Sequence, residues 1–91
     1  MKSIGKRFVY ILRSDCDPDR HYTGITADPD RRIEWHNHGP CGYTTDYRPW
    51  SFVVVMEFPT EQAAVRFEQY LKSGSGRAFA KRHLCGSPSG S

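Results

Sequence analysis

Phe8-Val9-Tyr10-Ile11-Leu12 and the later run His21-Tyr22-Thr23-Gly24-Ile25 decide how this chain is read. The first run is apolar or aromatic on both alternating sets, which marks a strand covered on both faces. A loop rich in Asp and Pro, from Ser14 to Arg20, separates it from the second run. That second run is a return strand, so the pair predicts an antiparallel hairpin. Gly24 sits inside the return strand, where a glycine often marks a close approach of backbone or ligand.

Outward from the hairpin, Asp28-Pro29 starts a helix, with Asp as N-cap and Pro at the first helical position. It runs to Asn37 or His38 and stops at Gly39-Pro40. Gly39 to Pro49 is a connection carrying Tyr43 and Tyr47, long enough to suggest a task of its own. Trp50 to Phe58 is the third and most hydrophobic strand. Thr60 caps a second helix that ends at Ser73-Gly74, and Ser75-Gly76 opens a short third helix carrying Phe79 and Leu84. The order β-β-α-β-α-α predicts an α+β fold, a small three-stranded antiparallel sheet with flanking helices.

The chain has 91 residues, of which 37% are hydrophobic and 25% charged. That predicts one domain over residues 1–85 and a disordered tail over 86–91. The longest apolar runs, Phe8 to Leu12 and Phe52 to Met56, fall far below the ~20 residues that cross a bilayer. The run after Lys2, Lys6 and Arg7 is also shorter than the ~7–15-residue core of a secretion signal. Three cysteines, Cys16, Cys41 and Cys85, form an odd set that predicts free thiols in a reducing, cytoplasmic setting. The net charge is +3. Beyond Gln62 the cations Arg66, Lys72, Arg77, Lys81 and Arg82 face Glu68 alone, which suits a polyanionic partner as well as a solvated helix face.

Five residues stand out as chemistry. Tyr10 and Tyr22 sit on neighbouring strands, where their phenols would meet across the hairpin. Arg32 and His36 are one helical turn apart, pairing a permanent guanidinium clamp with a proton carrier suited to neutral pH. Glu68 flanks the apolar arc Ala64, Phe67 and Leu71 of the second helix, and such a carboxylate takes either a basic partner, such as Arg66 or Lys72, or a metal ion. His36, His38, Cys41, His83 and Cys85 include zinc-ligand types, but without the paired spacing of a zinc site.

Together these residues resemble the GIY-YIG endonuclease family, including its small stand-alone bacterial members. Phe8-Val9-Tyr10 stands as the first motif and Tyr22-Thr23-Gly24 as the second. Arg32 stands as the family's arginine, ten residues after Tyr22, followed by His36 and by Glu68 as the metal-binding glutamate. Phe8 and Thr23 replace the usual Gly and Ile, and a later family asparagine has no counterpart, since Asn37 is the single asparagine. The resemblance covers about residues 7 to 84 and implies hydrolysis of DNA phosphodiester bonds, in repair or recombination. It implies Mg2+ or Mn2+ on Glu68, Arg32 on the scissile phosphate, and Tyr10 or Tyr22 with His36 acting on the attacking water. The implied partner is DNA, branched or distorted, met by a monomer or homodimer, with Arg31, Lys72, Arg77, Lys81 and Arg82 as contacts. The competing readings are a non-catalytic nucleic-acid-binding module of the same fold and a zinc-stabilised interaction domain.

Overall fold

Strand β1 (Arg7–Ser14) is the middle strand of a sheet whose order is β2-β1-β3, with β2 at His21–Thr26 and β3 at Trp50–Phe58. Both neighbours run antiparallel to it. The computed structural model describes residues 6–40 and 42–84, and of Tyr43 the backbone only. Helices α1 (Pro29–His38), α2 (Glu61–Leu71) and α3 (Gly74–His83) complete the expected β-β-α-β-α-α order. A 3-10 turn at Gly42–Tyr47, not anticipated from the sequence, occupies the long connection before β3. Cys41, Cys85 and the expected tail 86–91 lie outside the described residues. No helix among the described residues is long and apolar enough to cross a membrane.

Side chains alternate along a strand, so β1 feeds two separate cores. Val9 and Ile11 pack with Ala64, Leu71 and Ala80 from α2 and α3. Tyr10 and Leu12 pack on the other side with Trp50, joined by Tyr22, Phe52 and Ile33 of α1. All four β1 residues are at most 2% exposed, and burying each contributes about 1.5–3 kcal/mol. Helices therefore cover both faces, as the unbroken apolar run of β1 requires.

A bulge assigns β3 between the two cores. Ile11 pairs with Val54, but Leu12 pairs with Phe52, so Val53 is an extra residue in the ladder. Val54, Met56 and Phe58 lie towards α2 and α3, whereas Phe52 and Trp50 join Tyr10. The one-residue slip moves the later even-numbered side chains to the opposite face.

Caps fix the helix starts. Asp28 accepts from the Arg31 N–H, Thr60 from Ala63 and Ser73 from Gly76, each worth about 1 kcal/mol. The Ser73 cap starts α3 at Gly74, earlier than the expected Ser75-Gly76, and α2 ends at Leu71 rather than Ser73. Gly76 allows this tight junction. A Cβ there would collide with the Tyr70 carbonyl oxygen.

Candidate active site

The site begins with the side chain that β1 places opposite Gly24. Tyr10 pairs with Gly24 in the ladder, and the bare backbone leaves room for the phenol. A Cβ on Gly24 would lie 2.5 Å from the Tyr10 hydroxyl. The hydroxyl instead lies 2.9 Å from Nε2 of His36 on α1, and His36 Nδ1 lies 3.0 Å from Thr44 Oγ1 on the 3-10 turn. Tyr10, His36 and Thr44 are each at most 2% exposed.

Burial lowers the pKa of His36 from its ordinary 6.5, and the positive charges of Arg32 and Arg48 lower it further. The ring is therefore neutral near pH 7. A neutral imidazole has one donor and one acceptor nitrogen, so Tyr10 and Thr44 take opposite roles towards it.

The connection after α1 is latched by its own polar contacts. Trp50 Nε1 donates to the Thr44 carbonyl at 2.8 Å, and Arg48 Nε donates to the His36 carbonyl at 2.6 Å. The Arg48 guanidinium also donates to the Gly39 carbonyl. Asn37 bridges α1 to β3 through both Trp50 N–H and Trp50 C=O, at 2.7 and 3.1 Å. Thr44 and Arg48 were invisible as site residues in the sequence. Only the unusual length of their connection signalled a task.

Tyr22 completes an aromatic group around the histidine. Its ring centroid lies 4.9 Å from that of His36 and 6.3 Å from that of Tyr10. Tyr22 is paired with Leu12 rather than Tyr10, so the tyrosines are diagonal neighbours, not the directly opposed pair expected from the hairpin. Tyr22 is half-buried, in contrast to Tyr10.

Arg32 lies one turn before His36, its guanidinium 5.0 Å from the ring centroid of Trp35. That is a cation–π distance, and Trp35 remains 41% exposed. The two residues border a groove of about 530 Å³ with Thr26, Asp28 and Arg31. Trp35 was not singled out in the sequence, although its place beside His36 on a polar helix was the available signal.

Glu68 comes from another helix. It lies on α2, which packs on the opposite face of the sheet from Tyr10 and α1. Its carboxylate pairs with Lys72 Nζ at 2.9 Å, and its side chain is 16% exposed. Among the described residues no three His, Cys, Asp or Glu side chains converge as a metal cluster. A single oxygen donor still suits magnesium, which keeps several waters and takes few protein ligands. It does not suit zinc, which takes three or four nitrogen, sulfur or carboxylate donors from the protein.

The basic residues divide between the two sides. Arg31 borders the groove beside Arg32. Lys72, Arg77 and Lys81 line a separate cleft at the α2–α3 side, and Arg82 is exposed on α3.

Comparison with known proteins bears on the family of the chain. The family description GIY-YIG catalytic domain matches residues 6–82. Structure-specific endonuclease subunit SLX1 of Candida dubliniensis is 39% identical over 84 residues, covering 84% of this chain and 28% of that protein. The SLX1 of Malassezia globosa is 40% identical over 79 residues and is covered over 17% of its length. This chain thus spans less than a third of the SLX1 proteins it matches. UPF0213 protein BH0048 of Halalkalibacterium halodurans is 39% identical over 71 residues, covering 77% of this chain and 73% of that one. The solution NMR structure of BH0048 superposes with a TM-score of 0.51 at 35% identity, over 85% of this chain and 81% of that one. With the family match spanning nearly all described residues, this chain belongs to the GIY-YIG family.

Proposed function

We propose that this chain is a metal-dependent endonuclease that hydrolyses phosphodiester bonds in branched DNA, in the cytoplasm and in the service of repair or recombination. The observation that carries this reading is the contact between the Tyr10 phenol and the neutral His36 ring, with Tyr22 against the same ring and Arg32 one turn away. Two phenols around an imidazole exceed what a core needs, and the likeness to structure-specific SLX1 endonucleases supports a branched substrate.

In this reading Arg32 binds the scissile phosphate and offsets the charge that develops there. A free phenol, with a pKa near ~10, is a poor base at neutral pH. The Tyr10–His36 bond supplies the remedy: a neutral imidazole takes the phenol proton as the phenol takes one from water. Tyr22 packs on the same imidazole, and Trp35 borders the groove beside Arg32. Glu68 would hold the divalent ion, Mg2+ or Mn2+, which when bound would supply positive charge to the DNA backbone on the α2 side of the sheet. Arg31, Lys72, Arg77, Lys81 and Arg82 would contact the DNA backbone.

The test is nicking of supercoiled plasmid and cleavage of a branched duplex with magnesium. Glu68→Ala and Tyr10→Phe should each lower the rate by about 100-fold, the order expected when a positioned catalytic group is lost. Nicking that survives both substitutions overturns the assignment. One observation favours the non-catalytic alternative: Glu68 is already engaged by Lys72. That alternative predicts salt-sensitive DNA binding indifferent to magnesium and to Glu68→Ala.

A further inference from the structure

We propose that the cleft on the α2–α3 side of the sheet binds a single-stranded segment of DNA, separate from the strand at the tyrosine–histidine group. This rests on the reading of the chain as a nuclease acting on DNA. The cleft has a volume of about 1000 Å³, with Ile11, Leu71 and Ala80 among its apolar walls. Four permanent or nearly permanent cations, Arg13, Lys72, Arg77 and Lys81, line the same space, against one carboxylate, Asp19.

Lys72 pairs with Glu68, but nothing in the fold accounts for the other three. Arg13, Arg77 and Lys81 are exposed and have no ion-pair partner among the described residues. Arg13 belongs to the same alternating set as Val9 and Ile11, and its ladder partner is His21. A cationic residue thus ends the row of β1 side chains that forms the aliphatic core. Cations on a low-dielectric wall concentrate field and favour a polyanion.

Size selects the ligand. The volume lies at the upper end of the ~300–1000 Å³ range of small-molecule pockets, room for a few nucleotides of one strand but not for a duplex. Single-strand sites pair a basic groove with an aromatic face on which a base stacks. The aromatic residue nearest to that role is Tyr22, which is among the residues lining the cleft while its ring packs on His36. By alternation it belongs with Tyr10, yet β2 is the edge strand and Tyr22 also lines the cleft. A strand leaving the site beside His36 reaches the cations by passing the β2 edge.

The test is fluorescence anisotropy in EDTA, comparing a blunt duplex with the same duplex carrying a tail of about ten nucleotides. The parent chain should bind the tailed duplex at least about fivefold tighter, and Arg13→Ala/Lys81→Ala should abolish that preference and lower the salt slope on the tail by about 1.4. Arg13→Lys/Lys81→Arg should retain the preference, which separates charge from folding. Absence of a preference in the parent, or its persistence in the double alanine variant, overturns the proposal. Plasmid nicking without a tail preference removes this inference alone. Neither nicking nor binding removes the nuclease reading with it.

Discussion

The two faces of β1 are built from different materials. Towards α2 and α3 the contacts are aliphatic, Val9 and Ile11 against Ala64, Leu71 and Ala80. Towards α1 the buried set includes Tyr10, His36, Thr44 and Trp50, joined by hydrogen bonds. An aliphatic core tolerates small shifts, because its attraction has no direction. A buried polar group is costly once its partner moves, by about 1–3 kcal/mol. Among the described residues no buried side-chain nitrogen or oxygen lacks a partner. One face therefore holds the fold together, and the other holds particular atoms in place.

Two glycines, one on each side, allow the sharpest test of that division. Gly24→Ala would drive a methyl group into the Tyr10 hydroxyl and ring carbon, at 2.5 and 2.7 Å, and push the phenol from His36. A displacement near ~1 Å costs on the order of 100-fold in rate, so DNA cleavage should fall by that factor while the chain stays folded. Gly76→Ala meets backbone instead, the Tyr70 carbonyl, which has no rotamer to escape into. It should destabilise the chain by about 3 kcal/mol or more in urea denaturation. If both substitutions lowered stability alike and left the rate per folded molecule unchanged, the two faces would not be divided in this way.

The next test titrates the polar face. His36 is buried beside Arg32 and Arg48, and its pKa lies below 6.5 in the folded chain. In the unfolded chain it returns to about 6.5, so below that pH the unfolded state binds more protons. Stability should therefore be fully present above about pH 6.5 and decline as pH falls towards the lowered folded value. Urea midpoints measured between about pH 7.5 and pH 5.5 should show this decline, and His36→Gln should flatten it. An equal slope in both chains would mean that His36 is not the source of the effect.

Much of the framework was legible from the sequence. The alternation in β1, the Asp28 and Thr60 caps and the arc of Ala64, Phe67 and Leu71 are local patterns, and each appears where expected. Tyr10, Tyr22, Arg32 and His36 were legible as types in an order. Their contact geometry was not, because it depends on long-range register: Tyr10 faces Gly24, and Tyr22 lies diagonal to it. Thr44 meets His36 only through the 3-10 turn, and no periodicity announces one hydroxyl in an irregular connection. The Val53 bulge was equally hidden, since Phe52 to Met56 is apolar on both alternating sets.

Glu68 tests the comparison at its weakest point, because it is a proposed site residue on the face otherwise given to stability. Its carboxylate lies 2.9 Å from the Lys72 ammonium, which stands where a cation bound to that oxygen would stand. With Lys72 half exposed, the pair contributes at most about 1 kcal/mol, as solvent-screened helix pairs do. Lys72→Met should thus move the urea midpoint little, yet free the carboxylate. If Glu68 holds the metal, half-maximal cleavage at saturating DNA should then need several-fold less magnesium. An unchanged magnesium requirement would mean that Lys72 and the ion do not compete, and Glu68 would join Leu71 and Ala64 as a residue of the fold.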